Sequence, residues 1–368
     1  MQNQQKITIL HIILGGILFP IFSFFLPKVL ADLGFNHQSV GELFSIAQLA
    51  SILPAIYFIY FGLNKNTVYF NLFIITTSLI LTEIFPYNYF LVMVSLIAWS
   101  FSMTVIWGVF DQITFDKMPK DYTKIKAIST ISFLPILVIM GELYNPSLII
   151  YSMIFGGFAL AILAYSIITK EKKIGDNNLK IELKMITKHQ FFWFEILIHT
   201  SAVGVLFAFL TIYLSDVGMS MKEISYTYFP LIIAEAAMFY AMPKLFKNKS
   251  TDFIINISVL MTSLRFFILF FFPQNFILVM ISQALHAFSM SSWHSGKMQK
   301  ISEKFPGKQT QMGQQLYLAG WGIGLASGAF LGGVFYSKMM FFVTGALLVI
   351  YILAKKIMTK TISPETCA

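Results

Sequence analysis

The sequence predicts an all-α integral membrane protein whose twelve transmembrane helices form two pseudo-symmetric bundles of six. Of its 368 residues, 57% are hydrophobic and only 12% are charged, and the mean hydropathy is +0.73. An average soluble domain has about 25% charged residues. Long apolar stretches recur along the chain, and one sequence pattern returns half a chain later. These observations together predict a polytopic protein built from two similar halves.

Twelve apolar stretches are long enough to cross a hydrocarbon core of about 30 Å as helices rising about 1.5 Å per residue. The first is too long for the apolar core of a signal peptide and has no small-residue cleavage site after it, so we expect it to stay in the mature protein. The predicted spans are 7–31, 38–62, 67–85, 88–113, 125–143, 147–169, 191–214, 224–245, 253–272, 276–298, 311–336 and 338–357.

An internal repeat divides the chain into halves. Segment 25–34 returns as segment 209–218, at an offset of 184 residues. The matched positions include Phe25 and Phe209, Leu30 and Leu214, Asp32 and Asp216, and Gly34 and Gly218. The repeat predicts two parallel bundles, an N-terminal one over 1–169 and a C-terminal one over 191–368, joined by a lysine-rich cytoplasmic linker over 170–190.

The formal charge of +9 comes with a lysine distribution that indicates how the chain is oriented in the membrane, and it does not indicate nucleic-acid binding. Lysines crowd alternate connections, at 65, 117–126, 170–188, 244–249, 297–308 and 355–360, and the intervening connections have few. This asymmetry follows the positive-inside rule and predicts a bacterial-type inner membrane with both termini in the cytoplasm. The lipid bilayer is therefore the expected large partner, and no nucleic acid is expected.

Motifs for enzymatic or metal chemistry are lacking. The single cysteine, Cys367, rules out an intrachain disulfide. His286 and His294 are eight residues apart, two helical turns, which is too far to bind one metal ion. The sequence has no Gly-rich phosphate loop, nucleophile elbow or Cys/His cluster. We therefore expect no metal, no cofactor and no enzymatic activity.

Three consecutive spans carry an ionisable residue near their middle: Glu235, Arg265 and His286. Arg265 is the only arginine in the chain, and an uncompensated charge at this depth costs at least about 2.5 kcal/mol. We expect Glu235 to be its partner, with His286 beside them. A static structural pair is the simpler interpretation. The functional interpretation is a proton-coupling site, because a small movement or an anionic substrate can change the ionisation of such a carboxylate.

Asp111 and Lys126 are predicted to meet across the short connection between the fourth and fifth spans. They would form either an ion pair that positions two helices or a gate that exchanges partners. Trp107, one turn before Asp111, is a candidate to stack on a flat substrate.

In the seventh span, Glu195 and His199 are four residues apart and share a helix face. They would form either a secondary proton path or a water-exposed helix end. His11 is expected at the membrane interface, and His294 and Lys297 at a solvated helix end. Span eleven has glycines spaced by four, which predict a close helix contact that permits sliding: Gly320, Gly324, Gly328 and Gly332.

Segment 33–41 resembles the first outer loop of major facilitator proteins, and segment 62–65 keeps part of the basic motif that follows their second span. The chain is more closely similar to the branch with the phenylpropionate permeases and, more distantly, the lactose permease. That branch often has arginine where this chain has Lys126, and the two differ in bidentate binding. The matching features are Asp111, segment 121–126, Ala234-Glu235, Leu264-Arg265, segment 283–286 and His294.

This resemblance implies the major facilitator fold, with solute bound between the halves near the midplane. We expect a monomeric proton symporter for a small organic solute, an aromatic carboxylate by resemblance, with nucleosides and sugars left open. Arg265, Glu235, His286 and Trp107 would contact the solute, Glu235 would carry the proton, and His286 would orient or relay it. A proton-driven exporter of amphipathic compounds is the alternative, and an intramembrane enzyme or a non-transporting sensor is more remote.

Overall fold

The structure, a computed structural model, describes residues 2–54, 65–118, 121–168, 183–305 and 308–361. Helix α1 runs from residue 2 to 32 through four segments, Gln2–His11, Ile12–Leu18, Ile21–Phe25 and Leu26–Asp32, of which the middle two are π-helical. The other N-terminal helices are α2 (His37–Ala50), α3 (Lys65–Ile84), α4 (Tyr89–Lys117), α5 (Tyr122–Ile131 and Phe133–Glu142) and α6 (Pro146–Ile168).

The C-terminal bundle has the same order of helices. A short helix, Leu183–Lys188, precedes it, and most of the predicted linker 170–190 lies outside the described residues. The helices are α7 (Gln190–Asp216), α8 (Met221–Leu245), α9 (Thr251–Phe271), α10 (Phe276–Ala284, the π-helical Ala287–Ser291, and Ser292–Lys304), α11 (Lys308–Val334) and α12 (Lys338–Thr361).

Ten described helices are long and apolar enough to cross a membrane, and they match ten of the twelve predicted spans. The other two predictions are 38–62 and 224–245. The first falls partly on residues outside the described part of the chain. The second is helical over Met221–Leu245, but Lys222, Glu223, Glu235 and Lys244 lower its apolar character.

The predicted repeat is confirmed in the backbone. Two residues after their last helical residue, α1 and α7 are followed by Gly34 and Gly218, whose φ angles are +96° and +98°, a conformation that glycine adopts without steric cost. At each end the glycine N–H and the next N–H bond back to carbonyls of the last helical turn, Gly34 to Ala31 at 3.0 Å and Gly218 to Ser215 at 3.0 Å. Both helices therefore end in a Schellman motif.

The bundles contact each other through α2 with α11, α5 with α8, and α1 with α7. Several polar contacts between the bundles lie at the end of the molecule that carries Asp216, called the Asp216 end below. There, Lys222 pairs with Glu142 at 2.8 Å, and the His37 imidazole lies 3.7 Å from Asp216. The Tyr226 hydroxyl also donates to Glu142, at 2.9 Å. These contacts hold the bundles together at the Asp216 end.

Candidate functional site

Arg265 lies inside the C-terminal bundle, between α9 and α10, with 2% of its surface exposed. Its guanidinium donates to three acceptors on α10: His286 Nδ1 at 3.0 Å, Ser289 Oγ at 3.1 Å and Gln283 Oε1 at 3.1 Å. A histidine nitrogen that accepts a hydrogen bond belongs to a neutral ring. The guanidinium is therefore hydrogen-bonded by neutral groups, and none of these three contacts supplies a negative charge.

A π-helical segment of α10, Ala287–Ser291, begins directly after His286. Single-turn π-helical insertions are common at functional sites. The wider turn places Gln283, His286 and Ser289 around one guanidinium, and α8 and α9 both contact the segment. The sequence analysis did not predict it, because no proline or glycine marks this position.

Glu235, on α8, is partly exposed and forms no hydrogen bond or ion pair with the residues that the structure describes. The predicted Glu235–Arg265 contact is therefore absent in this conformation, while the predicted Arg265–His286 contact is present. The depth of a residue along its span can be predicted from the sequence, but not which way it faces around the helix axis. Glu235 and Arg265, which are predicted at similar depths, do not meet in this conformation.

In the N-terminal bundle, the predicted proximity of Asp111 and Lys126 is confirmed. Lys126 Nζ lies 2.6 Å from Asp111 Oδ1, and the side chains are 20% and 27% exposed. The indole N–H of Trp107 donates to Asp111 Oδ2 at 3.0 Å. The Lys126 ammonium also lies 4.7 Å from the centre of the Trp107 ring, within the range of a cation–π interaction. Asp111, Lys126 and Trp107 thus form one partly exposed cluster.

His11 joins this cluster, contrary to the expected interfacial position. It is 1% exposed, its Nε2 lies 2.7 Å from Thr114 Oγ1, and its Nδ1 lies 3.9 Å from Asp111 Oδ1. The position of His11 along α1 predicts a helix end but takes no account of the neighbouring helices. Contacts with α4 and α5 cover this part of α1 and bury the ring.

Glu195 is buried, so the water-exposed interpretation of this residue is wrong. It pairs with Lys297 of α10 and, at 2.6 Å, with Lys355 of α12. The Tyr351 hydroxyl donates to the same carboxylate at 2.7 Å. Lys297 is 0% exposed, which also corrects its expected place at a solvated helix end. Three helices of the C-terminal bundle therefore meet at one carboxylate.

His199 lies one turn from Glu195 and is also buried. Its ring stacks on Trp293 at 3.8 Å between centroids, and its Nε2 lies 2.9 Å from Thr262 Oγ1. Lys297 lies 4.7 Å from the centre of the same Trp293 ring. Polar and aromatic side chains thus connect the Glu195 carboxylate with the part of α9 that carries Arg265. The His294 side chain is exposed, and its Nδ1 lies 3.1 Å from the hydroxyl of the buried Tyr317.

Several members of these clusters were not predicted from the sequence. Lys297 shares a face of α10 with Trp293, and this spacing was a usable signal beside the Glu195–His199 pair. Lys355 and Tyr351 gave no such signal, because lysines near span ends usually reach water. Within the described residues, no group of three or more His, Cys, Asp or Glu side chains is placed to hold a metal ion.

The model of the MFS_1 like family matches residues 13–344, and the chain belongs to this family. No curated protein matches it. Among solved structures, the nucleoside transporter NupG is similar with a TM-score of 0.86 at 13% identity, over 98% of this chain and 100% of that one.

A peptide transporter, POT in complex with sulfate, is similar with a TM-score of 0.76 at 11% identity, over 98% of this chain and 95% of the other. A D-xylose–proton symporter has a TM-score of 0.68 at 12% identity, over 95% and 96%. The chain is an integral membrane protein with the major facilitator fold, as the resemblance implied.

Proposed function

We propose that the protein is a monomeric secondary active transporter that couples a small organic solute to protons by alternating access. The observation that carries this proposal is that Arg265 and Glu235, both in the C-terminal bundle, have no counter-ion in this conformation. Arg265 is buried and hydrogen-bonded by neutral groups, and Glu235 has no partner among the described residues. A cation and a carboxylate within a membrane both gain from a counter-ion. Another conformation or an anionic solute group would supply it.

We expect proton coupling because Glu235 and Arg265 are separated in this conformation. While Glu235 has no cationic partner, its protonated form avoids the cost of a charge in the membrane. When the bundles rearrange and Glu235 approaches Arg265, its ionised form becomes favourable and the proton leaves. His286, hydrogen-bonded to Arg265 at 3.0 Å, would orient the guanidinium or relay the proton. Glu195 and His199 would continue the path as secondary proton carriers.

The solute site would lie between the bundles, where the partly exposed Trp107 offers an indole face and Glu235 a carboxyl group. Arg265 and His286 are buried in this conformation, so direct contact with the solute requires the C-terminal bundle to rearrange. Asp111 and Lys126 would act as a gate whose ion pair opens when the cavity changes. Aromatic carboxylates, nucleosides and sugars are the proposed solute classes, and the names of two similar structures, a nucleoside transporter and a xylose symporter, support the last two.

By the positive-inside rule, the lysine-rich connections favour the side away from the cytoplasm for the Asp216 end. Since the bundles are held together at that end, we propose that the protein is closed on that side in this conformation. The proposed location is a bacterial-type inner membrane with both termini in the cytoplasm.

Proteoliposomes test the proposal. A pH-sensitive dye in the outer medium would be followed while aromatic carboxylates, nucleosides and sugars are added one class at a time. Symport predicts alkalinisation of the medium with one class, and protein-free liposomes are the control. A class that enters the vesicles without moving protons would refute the coupling. Outward movement of amphipathic compounds driven by a proton gradient would favour the exporter instead.

A further inference from the structure

We propose that His11 binds a proton and then replaces Lys126 as the partner of Asp111 when Lys126 moves away. His11 would thus be a proton-binding residue of the N-terminal bundle. The role of this exchange in a transport cycle rests on the proposed function. The exchange itself rests on the contacts of three side chains, from α1, α4 and α5.

The hydrogen bonds around His11 determine which ring nitrogen carries the proton. Thr114 donates its hydroxyl hydrogen to the Phe110 carbonyl oxygen at 2.6 Å, so its Oγ1 is left as an acceptor. His11 Nε2, 2.7 Å from that oxygen, must then be the donor. Neutral imidazole has only one N–H. The neutral His11 ring therefore has a bare lone pair on Nδ1.

The bare nitrogen lies near a carboxylate oxygen. His11 Nδ1 is buried without a hydrogen-bond partner among the described residues, 3.9 Å from Asp111 Oδ1. A nitrogen lone pair and a carboxylate oxygen are both acceptors, so their contact is not stabilising. A proton on Nδ1 would convert the same contact into a charge-assisted hydrogen bond after a small approach. The position of His11 is therefore suited to its protonated form.

Asp111 Oδ1 lies between two nitrogens that can each carry a positive charge. It is 2.6 Å from Lys126 Nζ and 3.9 Å from His11 Nδ1. The Tyr122 hydroxyl hydrogen-bonds to the same carboxylate. Lys126 and a protonated His11 would compete for one oxygen.

The surrounding charges allow only one of the two cations, Lys126 or a protonated His11, to pair with Asp111 at a time. α5 contributes Lys126, Tyr122 and Ser129, whose hydroxyl donates to the His11 carbonyl oxygen. α4 contributes Asp111, and the Lys6 ammonium on α1 points to Ser166 of α6. With Lys126 in place, a second cation would leave the cluster with uncompensated positive charge. Without Lys126, a protonated His11 restores neutrality around Asp111.

An anionic group on the solute would displace Lys126 from Asp111. The Lys126 side chain is 20% exposed, and its ammonium lies 4.7 Å from the centre of the Trp107 ring. A carboxylate held beside Trp107 would attract this ammonium away from Asp111. One proton from water would then bind His11 Nδ1 for each bound anion, and it would leave when Lys126 returns. The N-terminal bundle would thereby have a proton site separate from Glu235.

Histidine NMR on the purified, full-length protein tests this exchange without any solute, so its result is independent of whether the chain transports one. The protein would be labelled with nitrogen-15 at its six histidines and studied at about pH 6, near the usual histidine range. We expect His11 to be neutral in the wild type. Lys126→Met should add one imidazolium signal, which His11→Asn in the same background removes.

Two further variants separate competition from general disturbance. Lys126→Arg keeps a cation beside Asp111 and should leave His11 neutral. Asp111→Asn combined with Lys126→Met should remove the new imidazolium signal, because its carboxylate is gone. Lys126→Gln would replace Lys126→Met if the latter does not elute as a folded protein in gel filtration. A neutral His11 in both Lys126→Met and Lys126→Gln, or a protonated His11 in the wild type, would overturn the proposal.

Discussion

Glu195 is the residue on which the polar interior of the C-terminal bundle depends. Its carboxylate pairs with Lys297 and Lys355 and accepts from the Tyr351 hydroxyl. Lys297 is fully buried, whereas Lys355 is 22% exposed. Loss of the carboxylate would leave a buried ammonium without a counter-ion, and loss of Lys355 would still leave Glu195 paired.

We therefore expect Glu195→Gln to be more destabilising than Lys355→Met. Breaking one side of a buried ion pair costs about 3–5 kcal/mol, and the partly exposed Lys355 should contribute less than this. Thermal unfolding of the purified variants in detergent would measure the difference as a larger fall in Tm for Glu195→Gln. Equal Tm values for the two variants would show that the carboxylate does not hold this network together.

Individual residues also show how much of the site could be predicted from the sequence. The depths of Glu235, Arg265 and His286 remain predictions from the spans. The contact of Asp111 with Lys126 was predicted from a short connection and is confirmed. The Arg265–Glu235 contact did not follow, since each side chain can face any direction around its helix. Direction depends on packing against other helices, which no single span encodes.

At the scale of helices, the glycine face of α11 brings two backbones close together, as its spacing predicted. A Cβ added at Gly328 would lie 1.9 Å from the Ser201 carbonyl oxygen of α7. A Cβ at Gly320 would meet only the Ile196 side chain, at 3.3 Å. Backbone atoms cannot move aside as a flexible side chain can, so the two glycines differ in how much they tolerate.

Gly328→Ala should accordingly prevent α7 and α11 from packing, while the matched control Gly320→Ala should be close to neutral. Expression level and the gel-filtration profile of each variant in detergent would measure this. We expect aggregation or loss of Gly328→Ala and a wild-type profile for Gly320→Ala. A well-folded Gly328→Ala protein would mean that the close approach of these helices is not needed.

The π-helical segments of α1 and α10 were not predicted, although α1 contains Gly15, Gly16 and Pro20, residue types that often mark a bend in a helix. A π-helical turn depends on one extra residue being accommodated by neighbouring helices, not on a local composition. A Cβ at Gly16 would lie 2.0 Å from Ser132 Oγ of α5. The glycines therefore allow the tight contact between α1 and α5, because they carry no side chain.

At the scale of the whole molecule, the repeat predicted two matching bundles, and the structure adds a matching contact. Asp32 accepts from the Tyr144 hydroxyl, and Asp216 accepts from the Tyr336 hydroxyl, both at 2.6 Å. The tyrosines are 192 residues apart rather than 184, so a search at one offset could not pair them. Insertions between helices shift the register of a repeat while its contacts persist.

The bundles should separate at the Asp216 end when the protein changes conformation. Glu142→Lys places a second positive charge beside Lys222 and removes the acceptor of the Tyr226 hydroxyl, so it should favour separation. Adding Lys222→Glu should restore closure. Cys367→Ser with Ser225→Cys provides a thiol that is buried at this end, beside Gly141. Its labelling by a membrane-impermeant maleimide should become faster with Glu142→Lys and slow again in the double exchange. One labelling rate in all three proteins would exclude this ion pair as a latch.

The coupling role of Glu235 is the central claim, and transport by Glu235→Gln tests it most directly. With the solute identified in proteoliposomes, accumulation against a gradient and exchange of labelled for unlabelled solute would be measured in the same vesicles. Glutamine cannot release a proton but keeps the size and hydrogen bonds of a protonated glutamate. We predict that Glu235→Gln loses accumulation and retains exchange. A variant that still concentrates the solute would contradict the account.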